Sequence, residues 1–273
     1  MASNTQPQHD HEQFHQHHHH HHDMSHNDRN IAHWDKVAKT YTSQHTQKEF
    51  GDFINKITEF VLNNLSKIGV DFIDSSSAFE TRDNTTPTKS VRILDYACGP
   101  GTMTNILASH ATEFIGLDIS PNMVKEYNER FSSDQSNNGE KINAQAFHAN
   151  LFEPAGTPES LNDPKFFNFD LVVVSGGYHH FEDLPLVTKR LVERLKPGGV
   201  LMIIDFKSHA PEDMADHPAM NTIAHHGFTE GSIKQLFAGA GLEDNQVYDF
   251  PTPITIRGTS TRQPFMARGK KPL

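Results

Sequence analysis

A chain of 273 residues is long enough to bury a substantial core, as one main domain rather than several. Its formal charge of −10 argues against a protein whose affinity comes from neutralising nucleic-acid phosphates, which needs a concentrated basic surface. A single cysteine, Cys98, excludes an intrachain disulfide, and no uninterrupted apolar run approaches the ~20 residues of a membrane-spanning helix.

Residues 1 to 29 carry His9, His11, His15, His17 to His22 and His26 among Gln, Asn, Asp and Ser, with almost nothing apolar. Burial cannot offset the ordering entropy of such a segment, so it is expected to be disordered. Six consecutive histidines read as an expression tag or as a native tract. In either case the imidazoles would take zinc, copper or nickel without fixed geometry, and no defined metal site is expected. From Asn30 the pattern turns helical, with Trp34, Val37, Ala38 and Tyr41 at three- and four-residue intervals. A longer amphipathic helix follows through Phe50, Phe53, Ile54, Ile57, Phe60, Val61 and Leu65. The polar stretch from Asp74 to Ser90 reads as a loop, so residues 30–90 form a helical cap and linker ahead of a domain spanning 91–273.

After Ser90, short apolar runs alternate with helix-like segments, the signature of a parallel sheet covered by helices on both faces. The expected strands are Val91 to Tyr96, Glu113 to Leu117, Ala144 to His148, Phe169 to Val174, Val200 to Asp205, and two more near Gln246 to Phe250 and Gln263 to Arg268. Expected helices lie at Thr102 to Ser109, Pro121 to Phe131, Leu184 to Leu195 and Glu230 to Ala240. The end of the chain, around Arg268, Lys270 and Lys271, reads as a solvated basic terminus or a weak nuclear signal. The expected location is cytoplasmic, with the nucleus as a second compartment.

The segment Val91 to Thr102 is a strand ending in a glycine turn that opens a helix. Its glycines let the backbone approach a ligand, and the helix N-terminus favours a negative group. A dinucleotide fingerprint would need a third glycine where Thr104 stands, which counts against a dehydrogenase. The next strand ends in Asp118, whose carboxylate is placed to accept hydrogen bonds from the two hydroxyls of an adenosine ribose; the alternative is a plain helix cap before Ser120-Pro121.

These pieces resemble the class I S-adenosylmethionine-dependent methyltransferases, and within them the broad group of ubiquinone and menaquinone C-methyltransferases (methyltransferase type 11). The matching segments are Trp34 to Tyr41, Leu94 to Gly101, Gly116 to Met123, Phe169 to Val173 and Leu195 to Gly199. The resemblance implies a Rossmann-like three-layer α/β sandwich with a seven-stranded, mostly parallel sheet, an N-terminal helical cap, and S-adenosyl-L-methionine as cofactor. It implies that Asp95, Ala97, Gly99 and Gly101 shape the methionine end of the pocket, and that Asp118 and Ile119 hold the ribose and pack on adenine. Asn150 and Leu151 would flank the adenine edge, and Ser175 would lie near the sulfonium. Two positions depart from the family pattern: Ala97 stands where glycine is usual, and Asn150 where an acid is usual.

Methyl transfer from a sulfonium depends largely on alignment, and a base is needed only where the acceptor must lose a proton. His179 and His180, at the mouth of the fourth strand, either supply that base or orient the loop; Tyr178 has the same two readings. The segment 206–228, with His225 and His226, falls where the family builds a substrate lid, although a His pair before a helix also serves as a polar cap. Tyr41 either closes over the cofactor or sits half-buried in the core. The acceptor expected from this pattern is a small molecule; the rivals are a protein methyltransferase and a methyltransferase-like regulator acting through protein partners.

Overall fold

The computed structural model describes residues 24–44, 48–73, 89–132, 142–152, 159–209, 218–256 and 260–273. The disorder expected before Met24, the centre of the expected loop (74–88) and lid residues 210–217 lie outside the described residues. Three helices, α1 (His26–Gln44), α2 (Lys48–Asn63) and α3 (Leu65–Ile68), precede the sheet. Then come β1 (Arg92–Tyr96), α4 (Thr102–Ile106), β2 (Glu113–Asp118), α5 (Pro121–Arg130), β3 (Ala144–His148), β4 (Phe169–Ser175), α6 (Leu184–Arg194) and β5 (Leu195–Phe206). The chain ends in α7 (Glu230–Gly239), β6 (Glu243–Asp249), β7 (Ile254–Ile256), β8 (Ser260–Arg262) and β9 (Pro264–Lys270).

Seven strands form one sheet in the order β3-β2-β1-β4-β5-β9-β6, and β7 and β8 make a separate hairpin. The strands from β3 to β5 run parallel, and β9 is inserted antiparallel between β5 and β6. Near-continuous apolar strands suit a sheet covered on both faces. On one face Leu94, Ile115, Val172, Val174, Leu201 and Ile203 pack with Leu191 of α6 and Phe237 of α7. The intervening residues Ile93, Phe114, Leu171, Val173, Val200 and Met202 turn the other way, onto Ile57 and Val61 of α2 and Met103 of α4. This is the expected three-layer sandwich. Because the chain winds outward from β1 to β3 and then returns to β4, the crevice between the carboxyl ends of β1 and β4 is the topological switch point where such sheets bind ligands.

Several boundaries differ from expectation. α1 begins at His26, not Asn30, and draws His26 out of the polar segment: its side chain is buried and Nε2 donates to His180 O at 2.8 Å. β5 begins at Leu195 rather than Val200, running through Lys196 to Gly199 with a register break between Phe169 and Leu171 of β4. The terminal basic residues are not a loose end. Arg268 and Lys270 lie in β9, and Lys271 Nζ donates to Val192 O and Leu195 O at 3.0 and 2.7 Å, satisfying carbonyls at the C-terminus of α6.

Candidate active site

The turn after β1 is left-handed at Ala97 (φ 54°), Gly99 (φ 49°) and Gly101 (φ 82°). The two glycines do different work. A Cβ on Gly101 would lie 2.3 Å from the Phe131 ring and 2.9 Å from Tyr127, so this glycine lets α4 start against α5. A Cβ on Gly99 would meet nothing within 4 Å, so Gly99 borders open space at the head of the crevice. Ala97 occupies the space a side chain at Gly177 would need, since a Cβ there would be 2.9 Å from its methyl.

Asp118, at the tip of β2, joins this turn to α5. Its Oδ2 accepts from Gly99 N at 2.9 Å and its Oδ1 from Ser120 N at 2.9 Å. The cap of α5 is Ser120, whose Oγ accepts from Met123 N. Asp118 is therefore not the helix cap, and as an ionised carboxylate it keeps a lone pair on each oxygen for a further donor. Burial raises its carboxyl to about 6, opposed by the backbone N–H groups of Ser120 and Gly99. Asp95 is buried; its Oδ2 accepts from Thr104 N and Oγ1, and Thr104 Oγ1 lies 2.9 Å from Tyr127 Oη. Burial raises Asp95 to about 7, with the Thr104 contacts opposing. Asp95 thus pins α4 to β1 from beneath the turn.

Ile119 is partly buried, and its carbonyl faces His148 Nε2 at 3.1 Å. Asn150 turns its Oδ1 to Phe152 N at 2.9 Å. The Leu151 side chain is fully buried in the core, and its backbone N donates to Tyr96 Oη. Ser175 ends β4 partly buried, and Gly176 after it is exposed, with no atom within 4 Å of where a Cβ would stand.

At the mouth of β4 the three aromatic candidates separate. Tyr178 is a core residue: it is fully buried and its hydroxyl lies 2.5 Å from Thr188 Oγ1. Burial raises its phenol well above the ordinary value, opposed by the hydrogen bond to Thr188. His180 donates from Nδ1 to Thr222 O at 2.6 Å and meets the Trp34 ring edge-on at 5.3 Å. Burial, reinforced by His179, holds its imidazole well below the usual value, so the ring is neutral. His179 keeps 13% of its side chain exposed, and its Nδ1 lies 2.9 Å from Asp205 Oδ1 and 3.1 Å from Oδ2. Asp205, at the end of β5, is itself buried.

α1 roofs this mouth. Besides His26, Arg29 Nε donates to Asn221 O at 3.3 Å and Asn30 Nδ2 to Thr222 O at 3.4 Å. One turn on, Asp35 Oδ1 accepts from Ser120 Oγ (2.5 Å) and Asn122 N (3.1 Å) at the start of α5. Tyr41, partly buried, meets the Trp34 ring edge-on at 6.1 Å, so it lies on the roof helix near the site. From the other side, His225 N and Ala224 N donate to His179 O at 3.0 Å, which seats the 218–228 segment against the β4 mouth. Among the described residues, His225 Nε2 and His226 Nδ1 are buried without a hydrogen-bond partner. The structure thus brings His179, His180 and His225 together. The sequence reading gave no site role to Asp205 or Asp35, and placed His26 only in the polar tail; an acid ending the apolar run 200–204 was the available signal for the first. Among the described residues, no three His, Cys, Asp or Glu side chains are grouped to hold a metal, and no helix is long and apolar enough to cross a membrane.

Residues 44–247 match the methyltransferase domain family. The chain belongs to it. An uncharacterized methyltransferase of Schizosaccharomyces pombe is 31% identical over 233 residues, covering 80% of each chain. A ubiquinone biosynthesis O-methyltransferase of Pelagibacter ubique is 22% identical, covering 52% of this chain and 54% of its own. This methyltransferase therefore spans about half the length of that relative. Magnesium protoporphyrin IX methyltransferase of Synechocystis, solved with bound S-adenosylmethionine, shares the fold at a TM-score of 0.58 and 12% identity, over 91% of this chain and 98% of its own. The methyltransferase also shares its fold with a phosphoethanolamine N-methyltransferase of Haemonchus contortus (TM-score 0.56, 15% identity, 92% and 61% covered).

Proposed function

We propose that this methyltransferase moves a methyl group from S-adenosyl-L-methionine to a small-molecule acceptor lying between His179-His180 and the segment with His225 and His226. The observation that carries the acceptor class is the roof. α1 is hydrogen-bonded to the turns on both sides of the mouth, so a helix lies across the approach to the β4 end, which suits a small-molecule acceptor and hinders entry of a side chain still attached to a folded protein. The residues present fit the cofactor: the space at Gly99 and Gly176 is open, and Asp118 stands at the rim with spare acceptor capacity. When bound, the cofactor supplies a methyl group made electrophilic by its positive sulfur.

In this reading Asp118 holds the ribose, Ile119 and Asn150 border the adenine, Gly99 and Ser175 leave room for the methionine end, and Gly101 supports the turn by letting α4 start against α5. Ala97 and Asp95 shape that end from below, and Leu151 backs the adenine wall from the core. Tyr41 and Trp34, in edge-on contact on α1, cover the acceptor from that helix. His225 and His226 offer ring nitrogens that lack partners among the described residues, and a buried unpaired nitrogen gains when a ligand group satisfies it. Titration calorimetry with S-adenosylmethionine tests the cofactor site, and methyl-labelled cofactor incubated with separated small-molecule and protein fractions of a cell extract tests the acceptor class. Label entering small molecules is expected. Label entering only protein would overturn the acceptor class, and no binding would overturn the cofactor site.

A further inference from the structure

We infer that Asp205 is a positioning residue that fixes His179 as a proton acceptor, and that the acceptor is accordingly a phenolic hydroxyl. This rests on the methyl-transfer reading above. The buried carboxylate of Asp205 faces Nδ1 of His179, and a carboxylate can only accept there, so the ring proton sits on Nδ1. The unprotonated nitrogen is then Nε2, which has no hydrogen-bond partner among the described residues, on a ring that is not sealed from solvent.

The same carboxylate fixes where the ring stands. Its Oδ2 also accepts from His179 N at 3.1 Å, and its Oδ1 accepts from Phe206 N at 2.8 Å. Backbone and side chain of His179 are therefore held by one group, beside Ser175 and Gly176 at the end of β4. The His180 ring lies tilted against the His179 ring, centroids 4.1 Å apart, but His180 spends its own Nδ1 on Thr222 O, and burial keeps it neutral, so it is a neighbour of the base rather than a second base.

A base oriented by a buried carboxylate has a use only if the acceptor loses a proton in the reaction. The acceptor oxygen forms its bond to the methyl carbon as the carbon–sulfur bond breaks, with that bond's electron pair staying on sulfur. The hydroxyl proton passes to Nε2 of His179, and Asp205 balances the imidazolium until water removes the proton. An imidazole is matched to a phenol, which titrates around 10, far better than to an aliphatic alcohol, which is much less acidic. Rings stand beside this histidine pair: Trp34 meets His180 edge-on, and Phe206 lies 6.0 Å from His179.

The test compares wild type with Asp205→Asn and Asp205→Ala in two measurements. Nitrogen NMR of the histidine rings is expected to show His179 protonated on Nδ1 in wild type and shifted toward Nε2 in both variants, because the asparagine amide donates where the carboxylate accepted. Calorimetry with S-adenosylmethionine is expected to stay within a few fold of wild type, which separates failure of this inference from failure of the cofactor site. With catechol and phenol as probe acceptors and benzylamine as the control, wild type should methylate oxygen, with a rate that rises with pH to a plateau. Asp205→Asn should lower kcat at least a hundredfold and leave the KM for cofactor unchanged. Nε2 protonated in wild type, an unchanged tautomer in Asp205→Ala, no transfer to either phenol, or preferred transfer to benzylamine would each overturn the inference.

Discussion

Replacing Asp118 by alanine should damage the protein twice, by amounts that can be measured separately. The residue is 7% exposed, and its side chain accepts two backbone N–H groups, from Gly99 and Ser120. Leaving a buried donor unpaired costs about 1–3 kcal/mol, so with two donors the free protein should lose roughly 2–6 kcal/mol of stability, the lower end applying if water reaches Gly99. The ribose would also lose two hydrogen bonds to a charged acceptor, each worth about 1.5–3 kcal/mol, which corresponds to a fall of at least a hundredfold in cofactor affinity. Asp118→Asn retains one acceptor oxygen and should fall between the two. Urea unfolding measures the first effect, and calorimetry at a temperature where the variant is folded measures the second. Affinity unchanged in a folded Asp118→Ala protein would show that this carboxylate only ties β1 to α5 and does not touch the cofactor.

The two glycines of the turn should respond differently. Gly101→Ala forces a Cβ into Phe131 and should leave little folded protein, whereas Gly99→Ala meets no neighbour, costs about 1–2 kcal/mol for a left-handed alanine, and should weaken cofactor binding more than it lowers Tm. If cofactor binding requires ionised Asp118, affinity should climb about tenfold per pH unit up to about pH 6 and flatten above it, and a flat profile from pH 4.5 to 8 would contradict that requirement. Asp95, raised from 3.8 to about 7, gives stability that is fully present below 3.8 and is lost as pH rises through about 7. The stability lead of wild type over Asp95→Asn should therefore shrink between pH 5 and pH 8 in urea titrations. Tyr178→Phe should cost about 1 kcal/mol for its bond to Thr188 and leave methyl transfer unchanged, a result that activity assays and thermal melts check together.

The parts of the site legible in the sequence are those built by neighbours in the chain. β1, the glycine turn and α4 are contiguous, and Asp118 follows at the tip of the very next strand, so order and spacing alone place them. The Asp205 contact was not legible, because it joins the end of β5 to the turn after β4 through the register that sets Ser175 beside Ile204. Sequence patterning can place each strand without fixing that register. His26 was hidden for another reason. Its surroundings are as polar as the tract before it, and only a distant carbonyl, that of His180, gives it a buried partner. The early start of β5 was masked by Lys196-Pro197-Gly198-Gly199, which has the composition of a turn yet is absorbed into the strand with a break in register. The two readings of Tyr178 could not be told apart from its sequence neighbours, because its burial and its contact with Thr188 of α6 are set by how that helix packs on the sheet.

One helix, α1, is fastened to the start of α5 through Asp35 and to the β4 mouth through His26 and Asn30. Whatever seats that helix more firmly from one side also prearranges it for the other. The two ligands are then thermodynamically linked, and by reciprocity each must change the affinity of the other by the same factor. Cutting the tie at Asp35 should bring that factor toward one.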